Sequence, residues 1–219
     1  MRLSDFYQQV VKFGKDRDPR GKAKAYTYED TAILYGKPAT EIKKVLVGID
    51  IEVAELLLAD RIRSKAGLDL VIAHHPEGWA WAEFYKVMQL QVDTLEKAGL
   101  PRKAAQELLN ERMREVERRV LPQNHMRSVD AARLLDMPFM CMHTPADNHV
   151  YCFLKDLLAK KKPKELHDLV ATLEGIPEYR IAKKESSGPR IILGNPNRPV
   201  GKVLLEMTGG TEGPKEIFA

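Results

Sequence analysis

The stretch LVIAHHPEG, residues 70–78, starts as an unbroken apolar run and ends in two adjacent histidines, a proline, an acid and a glycine. Leu70 to Ala73 offer no polar side chain to either face. That is the pattern of a strand covered on both sides, as in a parallel sheet flanked by helices. Pro76 cannot continue a ladder and holds the residue before it extended, so the chain turns out of the sheet here. Side chains alternate faces within a strand, but at its last residues a turning chain can bring both imidazoles to one crevice. In open α/β sheets that crevice, at the carboxyl ends of the strands, is where ligands collect.

Working outward, KVLVGID (44–50) reads as a buried strand and EVAELLLADRIRSKAG (52–67) as a helix closed by Gly67. Strand, helix, strand predicts that the two strands run parallel. Residues 79–121 predict two helical stretches. In the second, Pro101 suits a first turn, and Ala105, Leu108, Leu109, Met113, Val116 and Val120 form an apolar stripe among arginines and glutamates. The pair reads as an antiparallel hairpin that packs on the parent domain or on another subunit. The α/β rhythm resumes with SVDAARLLDM as a helix, PFMCMH as a strand and HVYCFLKDLLAK as a helix, followed by a basic connector and a helix over 164–173. Beyond Gly175, EYRIAKK, PRIILG and GKVLLEM predict three further strands. At the other end, Leu3, Phe6, Tyr7, Val10 and Val11 lie on one helical stripe with Ser4 as a cap, and the charged segment 16–40 shows no periodicity and reads as a loop. The expected fold class is α/β, with a mixed, partly parallel sheet flanked by helices and a helical hairpin inserted at about 79–124.

For 219 residues a single unit spanning the chain is the default. The apolar share of 44% is ordinary for a globular protein, and no apolar run approaches the roughly 20 residues that span a bilayer, so no membrane partner is expected. Asp5 and its polar neighbours interrupt the place where a secretory signal needs a continuous apolar region, which predicts a cytoplasmic location. Cys141 and Cys152 lack a CxxC spacing and read as buried thiols. A net charge of +4, spread over 35 basic and 31 interleaved acidic residues, does not call for a nucleic-acid partner.

Neutral imidazole is the commonest metal ligand, so His74 and His75 could each hold an ion; a hydrogen-bonded pair in a loop is the plainer reading. A second group sharpens the choice. CMHTPADNH, residues 141–149, follows another short apolar strand and supplies His143, Asp147 and His149 where that strand ends. Parallel strands of one sheet bring both groups to the same edge. An aspartate there can bridge two divalent ions with one oxygen each, although it can equally cap the next helix. Glu77, close in sequence, is a candidate base or a solvated loop acid.

The three segments VLVGIDIEVAELLLAD, DLVIAHHPEG and MHTPADN together resemble the Nif-three-like family (NGG-one-interacting factor three), whose bacterial members are often called GTP cyclohydrolase I type two homologues. The resemblance covers residues 40–78 and 128–160 well and the last segments loosely. It implies that His74 and His75 are metal ligands, that Asp147 bridges two metals, and that His143 lies among or just behind the ligands. It assigns Asp50 to the acid at the end of the first strand, with helix capping as its expected role. The metal would be zinc, iron or manganese, which such ligands do not distinguish. A ring-shaped homo-oligomer, often a hexamer, is implied as well. The family completes its site with a histidine and a glutamate four residues apart near its C-terminus; no histidine follows His167 here, so the C-terminal part of the family domain is expected to be missing. The implied function is a dinuclear metal-dependent hydrolase acting on a small-molecule nucleotide or a related cyclic amide or phosphate. The alternative is a noncatalytic, metal-stabilised assembly or regulatory protein.

Overall fold

A computed structural model describes residues 1–21 and 27–218; residues 22–26 of the charged segment, and Ala219 at the end of the chain, lie outside the described residues. The chain forms two compact units, Met1–Val150 with Glu206–Ala219, and Tyr151–Leu205.

The first unit opens with α1 (Leu3–Asp16) and β1 (Thr31–Tyr35), followed by β2 (Val45–Gly48), α2 (Val53–Ala66) and β3 (Leu70–Ala73). β2 and β3 pair in parallel, as the strand, helix, strand pattern predicts. α2 starts with a capping box in which the Glu52 backbone N–H donates to the Glu55 carboxylate at 2.9 Å, and it stops at Gly67, whose φ of 71° suits glycine. The cap is therefore Glu52 and not Asp50. The hairpin follows: α3 (Gly78–Glu83), a 3₁₀ turn over Phe84–Met88, α4 (Gln89–Ala98) and α5 (Arg102–Val120). It has its own core, in which Phe84, Met88, Val92 and Leu95 meet Ala105, Leu109, Val116 and Val120. The apolar stripe of α5 is thus covered from within the chain.

Then come α6 (Arg127–Leu134), β4 (Phe139–Met142) and α7 (Thr144–Lys161), whose residues from 151 onward belong to the second unit. The sheet order is β1-β4-β3-β2, with β4 parallel to β3 and β1 antiparallel to β4. Strand periodicity divides the core. Val71, Ala73, Phe139 and Cys141 pack toward α2 and α6, while Leu70, Ile72 and Met140 pack toward α1. Both faces are covered, which is why LVIA carries no polar residue.

β1 is a correction to the loop expected over 16–40. Thr, Ile and Tyr favour an extended strand, but a register slip between Ile33 and Tyr35 removes the alternation that would have revealed it. The larger correction lies in the last third. EYRIAKK is helical, inside α9 (Pro177–Lys184), which follows α8 (Leu166–Glu174); Pro177 occupies its first turn, a position that needs no backbone donor. PRIILG and GKVLLEM join no strand ladder. Pro189, Pro196 and Pro199 lack the N–H that a ladder requires, and the one pairing in this region is an isolated bridge between Glu165 and Pro199. Residues 206–218 return to the first unit, where Thr208 donates to Asn148 Oδ1 at 2.7 Å and Gln91 donates to the carbonyls of Gly209 and Thr211 at 3.0 and 2.6 Å. Among the described residues no helix is long and apolar enough to cross a membrane, and neither cysteine forms a disulfide.

Candidate metal centre

The parallel ladder continues past β3: His74 N–H donates to Gly48 O at 2.8 Å and His75 N–H to Ile49 O at 2.9 Å. Beyond these bonds Pro76 and Gly78, the latter at φ 57°, turn the chain into α3. His143 leaves β4 at the same sheet edge. The rings of His74 and His143 stack at 4.7 Å, and those of His74 and His75 lie 5.3 Å apart. One nitrogen from each of His74, His75 and His143 can be chosen so that all lie within 4.8 Å of one another, a group that can hold a metal ion. Adjacent histidines at a strand's end do share one crevice.

Each ring has its Nδ1 against an oxygen. His74 Nδ1 meets the Met142 carbonyl at 3.2 Å, His75 Nδ1 meets Asp50 Oδ1 at 2.6 Å, and His143 Nδ1 meets Asp30 Oδ2 at 3.0 Å. An Nδ1–H held by an oxygen leaves Nε2 as the lone-pair nitrogen, the arrangement that metal-binding imidazoles use. Asp147 stands one turn into α7, with Oδ1 3.5 Å from His74 Nε2 and Oδ2 3.5 Å from His143 Nδ1. Its two oxygens thus address two different rings.

No protein-family model matches the sequence, and no curated protein matches it. Among solved structures, that of a NIF3 superfamily protein from Sphaerobacter thermophilus is similar with a TM-score of 0.72, at 28% sequence identity over 89% of this chain and 68% of that one. This chain has the Nif-three-like fold.

Within this Nif-three-like unit the electrostatics follow burial. Desolvation lowers the His74 pKa, with the neighbouring His143 and His75 acting in the same direction, so its ring favours the neutral form that binds metal. Burial also pulls His143 down, but its hydrogen bond to Asp30 and the charges of Asp30 and Asp147 outweigh that and raise it. Asp147 is pushed up to about 6, first by burial, against the pull of His143. Glu77 lies at the start of α3 and is pushed up to about 7, chiefly by burial, with a hydrogen bond from Ser128 opposing. Glu77 lines a cleft of about 410 Å³ together with His75, His143, Trp81, Arg127 and Thr211. A larger groove of about 940 Å³ lies in the second unit beside Lys161, Lys162 and Lys164.

His149 does not join the group. Its Nε2 meets the Phe13 carbonyl at 3.0 Å, and its ring stands edge-on to Phe13. Asp30 is the residue that motif reasoning missed. It is fully buried, and one of its oxygens takes the His143 ring, the Thr144 N–H at 3.2 Å and the Thr144 hydroxyl at 2.6 Å. Asp30, rather than Asp147, caps α7. The available signal was the acidic pair Glu29–Asp30 placed just before TAILY and closed by Gly36.

Proposed function

We propose that the chain is a dinuclear metal-dependent hydrolase of the Nif-three-like type, acting on a nucleotide or a related cyclic amide or phosphate. His74 and His75 serve as ligands, Asp147 bridges the ions, and His143 joins or backs the ligand set. The observation that carries this reading is the set of three imidazoles, each held at Nδ1 by an oxygen, around a carboxylate whose two oxygens face different rings. Zinc, iron and manganese all suit these donors. Bound divalent ions make a water more acidic and polarise a phosphoryl or carbonyl oxygen. The protein's own part is to hold the histidines in one tautomer, to admit a small molecule through the cleft, and to keep Glu77 on the cleft wall as the proton acceptor. A cytoplasmic, ring-shaped homo-oligomer belongs to the same proposal.

A second reading, a noncatalytic assembly protein, draws on the sheet edge. β2 and the residue after it leave Val45, Val47 and Ile49 at 42, 55 and 63% exposure, an apolar row unusual for a free sheet edge. One pair of measurements separates the readings. Elemental analysis should find metal on the purified wild type. Asp147→Ala should then abolish hydrolysis of nucleotide and cyclic amide substrates while light scattering shows the assembly intact. An assembly that falls apart on this substitution favours the second reading, and a variant unchanged in both respects removes Asp147 from either.

A further inference from the structure

We propose that Asp30 is a positioning residue of the metal centre: it fixes His143 in the tautomer that leaves Nε2 for a divalent ion and, through the first turn of α7, sets Asp147 beside it. The inference rests on the metal reading above. A carboxylate taken wholly out of water is stable only where donors replace the lost solvent. The donors here are specific. Oδ2 lies 3.0 Å from His143 Nδ1 and accepts from the Thr144 N–H at 3.2 Å and the Thr144 hydroxyl at 2.6 Å, while Oδ1 meets the Thr31 hydroxyl at 3.3 Å.

Two consequences follow from acceptor chemistry. An ionised carboxylate has no hydrogen to give, so the neutral His143 ring facing it carries its proton on Nδ1, and the lone pair falls to Nε2. The same oxygen that holds the ring also holds the N-terminus of α7. Asp147 N–H donates to His143 O at 3.1 Å, so Asp147 is fixed one turn along by the residues that Asp30 anchors. The His143 backbone is pinned from the other side, its N–H donating to Thr31 Oγ1 at 3.2 Å. Thr31 is the first residue of β1, which makes this edge strand the support of the site.

The test uses the whole chain, stripped with a chelator, as wild type, Asp30→Asn and Asp30→Ala. Zn²⁺ binding is measured by calorimetry, the fold is checked by circular dichroism, and the His143 tautomer is read from ¹⁵N chemical shifts in the metal-free protein. Asn keeps an acceptor in the place of Oδ2 and can still fold around His143 while losing the charge. The expected order is wild type tightest, Asn about tenfold weaker and Ala up to about 100-fold weaker. His143 should be Nδ1-protonated in the wild type and mixed in Asp30→Ala. A purely structural carboxylate would change melting without moving the tautomer. If the wild type binds Zn²⁺ and a folded Asp30→Asn and Asp30→Ala bind it equally well, or if wild-type His143 carries its proton on Nε2, the proposal is overturned while the metal centre stands. A wild type that binds no Zn²⁺ overturns the metal reading, and the proposal with it.

Discussion

An imidazole binds metal through one nitrogen, and the group that holds the other nitrogen decides which one it is. Around His74, His75 and His143 the holders differ in permanence: a backbone carbonyl, an exposed carboxylate and a fully buried carboxylate. Asp50 is 73% exposed at its side chain, so water competes for His75 as it cannot for His143. Glu77 belongs to the same scale. It lines the cleft with His75 and His143 yet is not in their ligand group, so Glu77→Gln should lower kcat by about 10²- to 10⁴-fold with metal content unchanged, as elemental analysis and steady-state kinetics on one sample would show. Loss of metal in that variant would instead place Glu77 among the ligands. That His74, His75 and His143 come together was legible in the sequence because each stands just past the end of an apolar strand, and Asp147 follows one turn into the helix after the second of these strands. His149 stands there too and is excluded by geometry, since two residues along a helix turn a side chain by about 200° from Asp147. Asp30 was not legible in the same way, because its partner is 113 residues away and no local pattern encodes that contact.

Among the elements, the parallel β2-α2-β3 unit could be read from the sequence because β3, buried on both faces, is an unbroken apolar run, although β2, expected to be buried as well, lies at the sheet edge with Val45 and Val47 exposed. The short apolar runs of the last third looked alike but are cut by prolines that remove ladder donors, and length alone does not tell a four-residue strand from an extended loop. The packing of α1 on the first turn of α7 was also hidden, because it depends on a missing side chain. A Cβ at Gly14 would lie 2.8 Å from Pro145 Cβ, 2.9 Å from Pro145 Cα and 2.9 Å from the Tyr28 ring. Alanine is the better helix former by up to about 1 kcal/mol. Overpacking against backbone costs about 1–3 kcal/mol, so the clash should win and Gly14→Ala should lower the urea midpoint. Pro145 lies between His143 and Asp147, so the same variant should also bind Zn²⁺ more weakly. A more stable Gly14→Ala protein would show that the two helices can separate without cost.

For the whole molecule, the decisive feature is that everything assigned to the metal centre lies in the first unit, including the returning segment with Thr208 and Thr211. The second unit contains a single buried residue, Leu154. Its helices are held by caps and short-range contacts, such as the Glu165 and Asp168 capping box at the start of α8, rather than by a packed core. Length and composition gave no sign of this division, because α7 runs through the boundary and apolar residues are about as frequent in 151–205 as elsewhere, while all but Leu154 stay half-buried or exposed. Local stability follows buried apolar contact, so amide exchange should separate the units: fast at 151–205, slow in β2, β3 and β4. Metal should widen that gap. A ligand at 100 times its Kd that binds only the folded first unit stabilises it by about 2.7 kcal/mol. For a unit of this size that is a rise of roughly 5–10 °C in melting temperature, lost again on adding EDTA. Exchange at 151–205 should stay the same with and without Zn²⁺ while exchange in the sheet slows. Equal slowing in both units would mean that they unfold together, and the sheet would then not be an independent scaffold for the metal centre.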